Sequence, residues 1–422
     1  MAHRHPFVTT ACTNWDDLRP HTDASIRGVF MHLSDAHTRG VRGPEFDELE
    51  LTTGLNYNVF SLVAEPHVNV ASQLMFDWPH CYCIGGLVDV EIGQGMAALL
   101  AARAPTTYIV LGGFLKQWTW PRRLSPPIEK LFDAKAVDSH RKAASFKSTA
   151  SELMTLSAAI SFYMVNVALR HGAATPQVRS LIAAIDTLEL LMMVRKGCVE
   201  PHDLRASIEQ HLKLYKEAYG EDSFRPKHHY AYHLWRMLEH FGILISCLHL
   251  ERLHKIQKRY VANRRSTTSY ELGTIEDSTL KQFWDRKQLW YKVGSLVDAV
   301  SPKTLIAEAL REMYPAESDP KVATYLYTSA GPAHMDDVVL YEQRGEQCCG
   351  QVKLHCHVHG ETVTFVENWE RVPVADLGSM AARYKVVTNA CPVPSASIKT
   401  SVCYSVSADV FATVLIPPLY RQ

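Results

Sequence analysis

The sequence predicts an α+β protein: a mainly helical body followed by a small antiparallel β barrel or sandwich. Three observations carry that expectation. Apolar residues recur at helical spacing, with cap signals, from about residue 85 to residue 315. Beyond Pro315 the pattern changes to short β-rich runs separated by glycine turns. The balance of 47% hydrophobic to 21% charged residues is globular. At 422 residues the chain has room for two or three domains, taking roughly 100–200 residues for each.

Four zones follow in order. Residues 1–84 read as a partial α/β core with one helical candidate, Asp23 to Thr53. It closes on the alternating run Val68 to Phe76, which reads as a strand. Residues 85–220 read as a helical insertion. Gly85-Gly86 opens a helix through Leu87, Val90, Met96 and Leu99, and Pro121, Pro126 and Pro127 mark a connector. Thr149 with Glu152 makes a capping box, Thr175-Pro176 an N-cap and first-turn proline, and Gly197 a stop. Residues 221–315 begin at the Phe224-Arg225-Pro226 break and continue as basic, His-rich helices. From 322 to 422, the runs Val338–Tyr341, Gly350–Leu354, Thr362–Val366 and Val410–Leu415 read as strands, with Gly345 and Gly360 in turns.

The uncharged run Met154–Leu169 is short of the roughly 20 apolar residues of a membrane span. The opening residues MAHRHPFVTT lack the apolar stretch of a secretory signal. The expectation is therefore an intracellular protein, nuclear or cytoplasmic, without a membrane partner and with its 10 cysteines as thiols. Lys plus Arg and Asp plus Glu both number 44, which argues against a uniformly basic nucleic-acid binder. The zero is uneven, however. Arg225 to Arg265 holds nine basic residues against Glu239 and Glu251, and Arg103 to Lys147 holds nine against Glu129, Asp133 and Asp138. Such asymmetry either hides a polyanion-binding surface or reflects separate solvated faces.

Four constellations bear chemistry. Asp77 and His80, three residues apart ahead of a glycine-opened helix, suit a metal or phosphate-handling site, with Cys81 and Cys83 close by. The plainer reading is a histidine held by a nearby carboxylate. His229 and His233 share a helix face as two zinc ligands can, but position 230 is Tyr where a zinc protease has Glu. Packing beside Tyr230 and Trp235 on a half-buried helix is the simpler expectation. Glu251 stands alone among Arg252, Lys255, Lys258 and Arg259, with Arg264 and Arg265 beyond, either paired to Lys255 or serving as a Mg²⁺ ligand beside phosphate-binding cations. Cys348, Cys349, His355, Cys356, His357 and His359 include zinc-type ligands, but alternate residues of a strand face opposite ways. Zinc is not the expected cofactor, and no phosphate-binding glycine loop or nucleophile elbow is present.

Taken in order, these pieces resemble the C-terminal half of CACTA-like DDE transposases and the cellular proteins derived from them. The resemblance rests on Asp77-x-x-His80, a helical insert, Pro226-Lys227-His228-His229 and Glu251-Arg252 with Lys258-Arg259 downstream, over roughly residues 70–265. It implies a partial ribonuclease-H-like core with a large helical insertion, Asp77 and Glu251 as catalytic carboxylates, and Asp77, His80 and Glu251 around Mg²⁺. Pro79 and Leu250 depart from the family's Met and aromatic residue. The family's first catalytic Asp has no counterpart on an apolar strand upstream, since Asp16, Asp17 and Asp23 lie in polar sequence. A truncated transposase is therefore expected, binding DNA through Arg252, Lys255, Lys258, Arg259, Arg264 and Arg265 without strand transfer, and able to self-associate. The competing expectation is an interaction scaffold whose β domain recognises another protein. A zinc hydrolase using His229 and His233 is a third.

Overall fold

A computed structural model of the protein describes residues 22–73, 75–194, 197–248, 294–315, 319–328, 331–374, 377–407 and 410–421, with five separate positions between 273 and 283. Its architecture is α+β, as expected. Helix α1 (Asp23–Thr38) starts at a reciprocal cap between Thr22 and Ser25. Helix α2 (Pro44–Thr53) follows with proline in its first turn. The single helix expected over Asp23–Thr53 is thus two helices. Gly40 and Gly43 take φ of +89° and +62° between them, a conformation that ends one helix before Pro44 starts the next.

The strand expected over Val68–Phe76 is also replaced. The segment forms one turn of helix, α3 (Val70–Gln73). The Asp23 carboxylate accepts from Ala71 N at 2.7 Å and from Ser72 Oγ at 3.1 Å, drawing the backbone into a helical start. Alternation alone makes a strand only when a neighbour supplies hydrogen bonds. Among the described residues ahead of Leu296 there is no β-strand, so Asp77 does not end one. It caps the short helix α4 (Trp78–Tyr82), accepting from His80 N.

The body is built around α5 (Leu87–Ala101), opened by Gly86 as expected. Leu87, Val88, Val90, Ile92, Met96 and Leu99 are buried along it, so helices must surround it. They are α6 (Tyr108–Lys116), α7 (Ile128–Leu131), α8 (Ala134–Ala143), α9 (Ala150–Tyr163), α10 (Thr175–Val194) and α11 (Pro201–Tyr219). Thr149 and Glu152 form the expected capping box on α9. Its helical path runs on through irregular turns to His171. Helix α10 packs on both α5 and α11, and Leu181, Leu188, Ile208 and Leu212 are buried in the shared core, each buried leucine or isoleucine contributing about 1.5–3 kcal/mol. Helices α12 (Pro226–Tyr232) and α13 (Leu234–Phe241) close the body. Two stretches, Trp78–Ala101 and Ala150–His171, are long and apolar enough to cross a membrane, and 67% and 56% of their apolar windows are buried in this core.

The C-terminal part holds β1 (Leu296–Val297), α14 (Thr304–Met313) and strands β2 (Lys321–Ala323), β3 (Tyr325–Thr328), β4 (Gly331–His334), β5 (Val338–Gln343), β6 (Glu346–Val358), β7 (Glu361–Val372), β8 (Ala381–Lys385), β9 (Ala390–Pro394), β10 (Ile398–Val402), β11 (Tyr404–Val406) and β12 (Phe411–Leu415). Nine of them form one antiparallel curled sheet along β10-β5-β6-β7-β8-β12-β11, with β2 joined to β6 and β9 to β7. Turns at Arg344-Gly345 and His359-Gly360 have positive φ at both positions, the hairpin geometry that matches strand twist. A bulge between Val352 and Leu354 bends the long β6–β7 hairpin, and the two halves of β7 take different partners, β9 and β8.

This sheet seats on the helical body through particular contacts. Arg122 N donates to Asp337 Oδ1 and Arg122 Nη2 to Asp336 Oδ2, both at 3.0 Å. Thr119 and Tyr404 exchange backbone hydrogen bonds. Ala381 and Leu415 are buried in the helical core. Arg421 makes a bidentate pair with Glu189 of α10, at 2.8 and 3.1 Å.

Candidate functional site

Asp77 lies where three segments far apart in sequence meet. As the N-cap of α4, its Oδ2 accepts from His80 N at 3.2 Å and also pairs with His80 Nδ1. Its Oδ1 accepts from Cys247 N at 2.7 Å, across 170 residues. Next to it, Phe76 N donates to Met237 Sδ of α13 at 3.2 Å. The Phe76 ring stacks on Tyr230 of α12 with centroids 4.7 Å apart and 14° between planes, and on His233 at 5.8 Å. Lys227, at the start of α12, donates to Ile84 O at 2.8 Å and Gly85 O at 3.0 Å. Those carbonyls follow the C-terminal end of α4, where a cation is favourable. The Asp-x-x-His, Pro-Lys-His-His and post-Gly242 segments thus form one cluster.

Within α12 the histidines divide by role. His228 is fully buried, packed at a tilt against Tyr215 with centroids 4.3 Å apart, and its Nδ1 accepts from Arg225 N. Burial pushes it down to about 3. His229 and His233 are half-buried on one face, their Nε2 atoms 3.1 Å apart. Burial lowers both, and His233 falls to about 4, so both are neutral at pH 7. The expected half-buried helix beside Tyr230 is what α12 forms. Trp235 instead packs between the guanidinium groups of Arg205 and Arg236, at 4.9 and 5.2 Å.

Glu251, Arg252, Lys255, Lys258, Arg259, Arg264 and Arg265 lie outside the described residues. What is described is the approach to them: the bond from Cys247 to Asp77 brings the chain to the cluster four residues before Glu251. Around Asp77 itself, the described residues do not fit a two-Mg²⁺ centre. Such a centre needs several carboxylate oxygens. Here one carboxylate is present, and it already accepts from Cys247, the His80 backbone and the His80 ring. Cys81 and Cys83 are buried, and burial pushes both thiols up, Cys81 to about 12, so they are neutral thiols rather than metal-ready thiolates. In the β sheet, His355 is spent on Thr364 Oγ1 at 2.9 Å and Ala333 O at 3.1 Å, with Cys349 buried against Trp369. Among the described residues, no group of three or more His, Cys, Asp or Glu is placed to hold a metal ion.

The second basic stretch is partly used in structural pairs. Lys116 meets Glu129, Lys142 meets Asp138, Arg122 meets Asp336, and Arg123 is half-buried beside Gly331. It is less a continuous cationic surface than its charge count suggests.

Asp89 and Glu91 are among the buried acids that sequence reasoning did not single out. Asp89, in the first turn of α5, accepts from Gly85 N at 2.9 Å and from Ser148 Oγ at 3.1 Å. Burial outweighs these bonds and raises it to about 7. Glu91 accepts from Ser180 Oγ at 2.6 Å and pairs with His211 Nε2 at 2.5 Å, while Tyr82 OH meets His211 Nδ1 at 3.4 Å. All four of these side chains are fully buried, so the network joins α4, α5, α10 and α11 and is closed to substrate. The signal for both was two carboxylates inside the otherwise apolar run that begins at Leu87.

Compared with known proteins, the chain matches no protein-family model, no curated protein and no solved structure.

Proposed function

We propose that the chain is a transposon-derived, transposase-like protein that binds nucleic acid through a cationic segment and lacks strand-transfer activity. One observation supports this most: the Asp-x-x-His and Pro-Lys-His-His motifs meet at Asp77, together with Cys247 of the segment that leads to Glu251. Unrelated motif matches scattered through a helical protein have no reason to meet. On this reading Asp77 and His80 are remnants of the family's metal-binding motif, and Glu251 matches its later carboxylate by sequence. Arg252, Lys255, Lys258, Arg259, Arg264 and Arg265 supply the positive charge, contacting phosphates and not base edges. Strand transfer is not part of this activity on this reading, because none of the residues before Asp77 offers a second aspartate on an apolar strand to complete a two-metal site.

The test is fluorescence anisotropy with short duplexes of unrelated sequence. Reversing Lys258 and Arg259 to Glu weakens binding to all duplexes alike, whereas Glu251→Gln leaves affinity unchanged or slightly raised by removing a negative charge near phosphate. Binding that is unaffected by the reversals contradicts the reading and favours a protein-interaction role for the β sheet. Mg²⁺-dependent nicking that vanishes in both Asp77→Asn and Glu251→Gln contradicts the loss of strand transfer.

A further inference from the structure

We propose that His229 and His233 form a binding site for a divalent transition-metal ion of the zinc class, with water completing its coordination. The two residues are four apart, so they project from the same face at the end of α12. Their Nε2 atoms lie 3.1 Å apart. Two imidazole nitrogens bound tetrahedrally to one ion at about 2.0–2.1 Å are separated by about 3.3 Å, so the pair already has close to the spacing a metal requires, and the rings need only turn to aim both nitrogens at it. The rings are held in place: His233 stacks on Phe76 with 28° between planes, and the two imidazoles stand at 84° to each other with centroids 4.6 Å apart. Both are half-buried and not fully enclosed, and the proposal places the ion and its waters on their outer side. Imidazole donors suit zinc, copper or nickel and not Mg²⁺, so this site is chemically separate from anything proposed for Asp77.

The competing explanation of the 3.1 Å approach is a hydrogen bond between two neutral imidazoles. Either arrangement leaves His229 Nδ1 buried without a partner, so the two are separated by metal binding itself. Nothing in the proposal depends on DNA binding, and either can fail alone.

The deciding experiment is equilibrium dialysis of the reduced, purified full chain against Zn²⁺ in excess Mg²⁺. The expected result is one zinc per chain and a raised thermal midpoint. His229→Gln and His233→Gln should each lower zinc affinity by at least about tenfold, while His32→Gln, at an exposed position of α1, leaves it unchanged. Circular dichroism establishes that the variants are folded, and His229→Gln decides alone if His233→Gln is not. No zinc bound by the unaltered chain, or zinc retained by the folded variants, overturns the proposal. Intense near-ultraviolet absorption with Co²⁺ that survives in His229→Gln assigns the metal to thiols and overturns it equally.

Discussion

Replacing Asp89 by asparagine should stabilise the protein, and the gain should depend on pH in a defined way. Asp89 is buried in the first turn of α5 and its carboxyl is raised from 3.8 to about 7, chiefly by burial. Between those values the native state keeps a proton that the unfolded chain has released, so stability falls as pH rises through this window. Above pH 7 both states are ionised and the full penalty is present. At about 1.4 kcal/mol per pH unit, that penalty is about 4 kcal/mol. The asparagine side chain has no charge to bury and fits the same bonds: its oxygen accepts from Gly85 N, and its amide donates to Ser148 Oγ, whose hydroxyl can rotate to accept. Losing attraction to Lys147 and Lys227 trims the gain. Urea unfolding followed by tryptophan fluorescence should show Asp89→Asn equal to the parent near pH 4 and more stable by about 2–4 kcal/mol at pH 8. A variant that is destabilised at pH 8, or a difference that does not change with pH, would refute the reasoning.

Arg421→Ala should cost about 2–4 kcal/mol by leaving Glu189 buried without its partner, and adding Glu189→Gln should recover part of the loss in a double-mutant cycle. Additive losses in that cycle would mean the pair is not coupled. His355, held near 4 by burial, is neutral in the native state and charged in the unfolded one, so acidification from pH 6.5 towards 4 should remove up to about 3 kcal/mol. His355→Gln should flatten that part of the acid profile, and an unchanged slope would show that other groups set it. Leu181→Ala, at the α10–α5 contact, should cost about 2–5 kcal/mol as a core truncation, and a loss below about 1 kcal/mol would argue against the packing described.

Much of the helical body and the hairpins of the β sheet were legible because their signals are local. The capping box at Thr149 and Glu152, the glycine start before Leu87 and the turn glycines Gly345 and Gly360 each fix backbone within a few residues. The strand expected at Val68–Phe76 failed because its outcome is set from a distance, by a carboxylate at Asp23 and, among the described residues, the absence of a strand to pair with. The candidate site divides in the same way. Asp77 with His80, and His229 with His233, are visible at helical spacing. The bond from Cys247 to Asp77 and the stacking of Phe76 on Tyr230 join residues more than 150 positions apart, and no local pattern announces them. Glu91 and His211 are hidden for the same reason, since each looks like a lone polar residue until the helices pack.

Salt dependence of DNA binding by the unaltered chain tests the central claim most directly. If the six cations from Arg252 to Arg265 contact phosphates, the logarithm of affinity should fall linearly with the logarithm of salt, with a slope of about −5. The slope should be the same for duplexes of unrelated sequence, as phosphate contacts read no bases. No binding at about 50 mM salt, or binding whose strength does not change with salt, would contradict it.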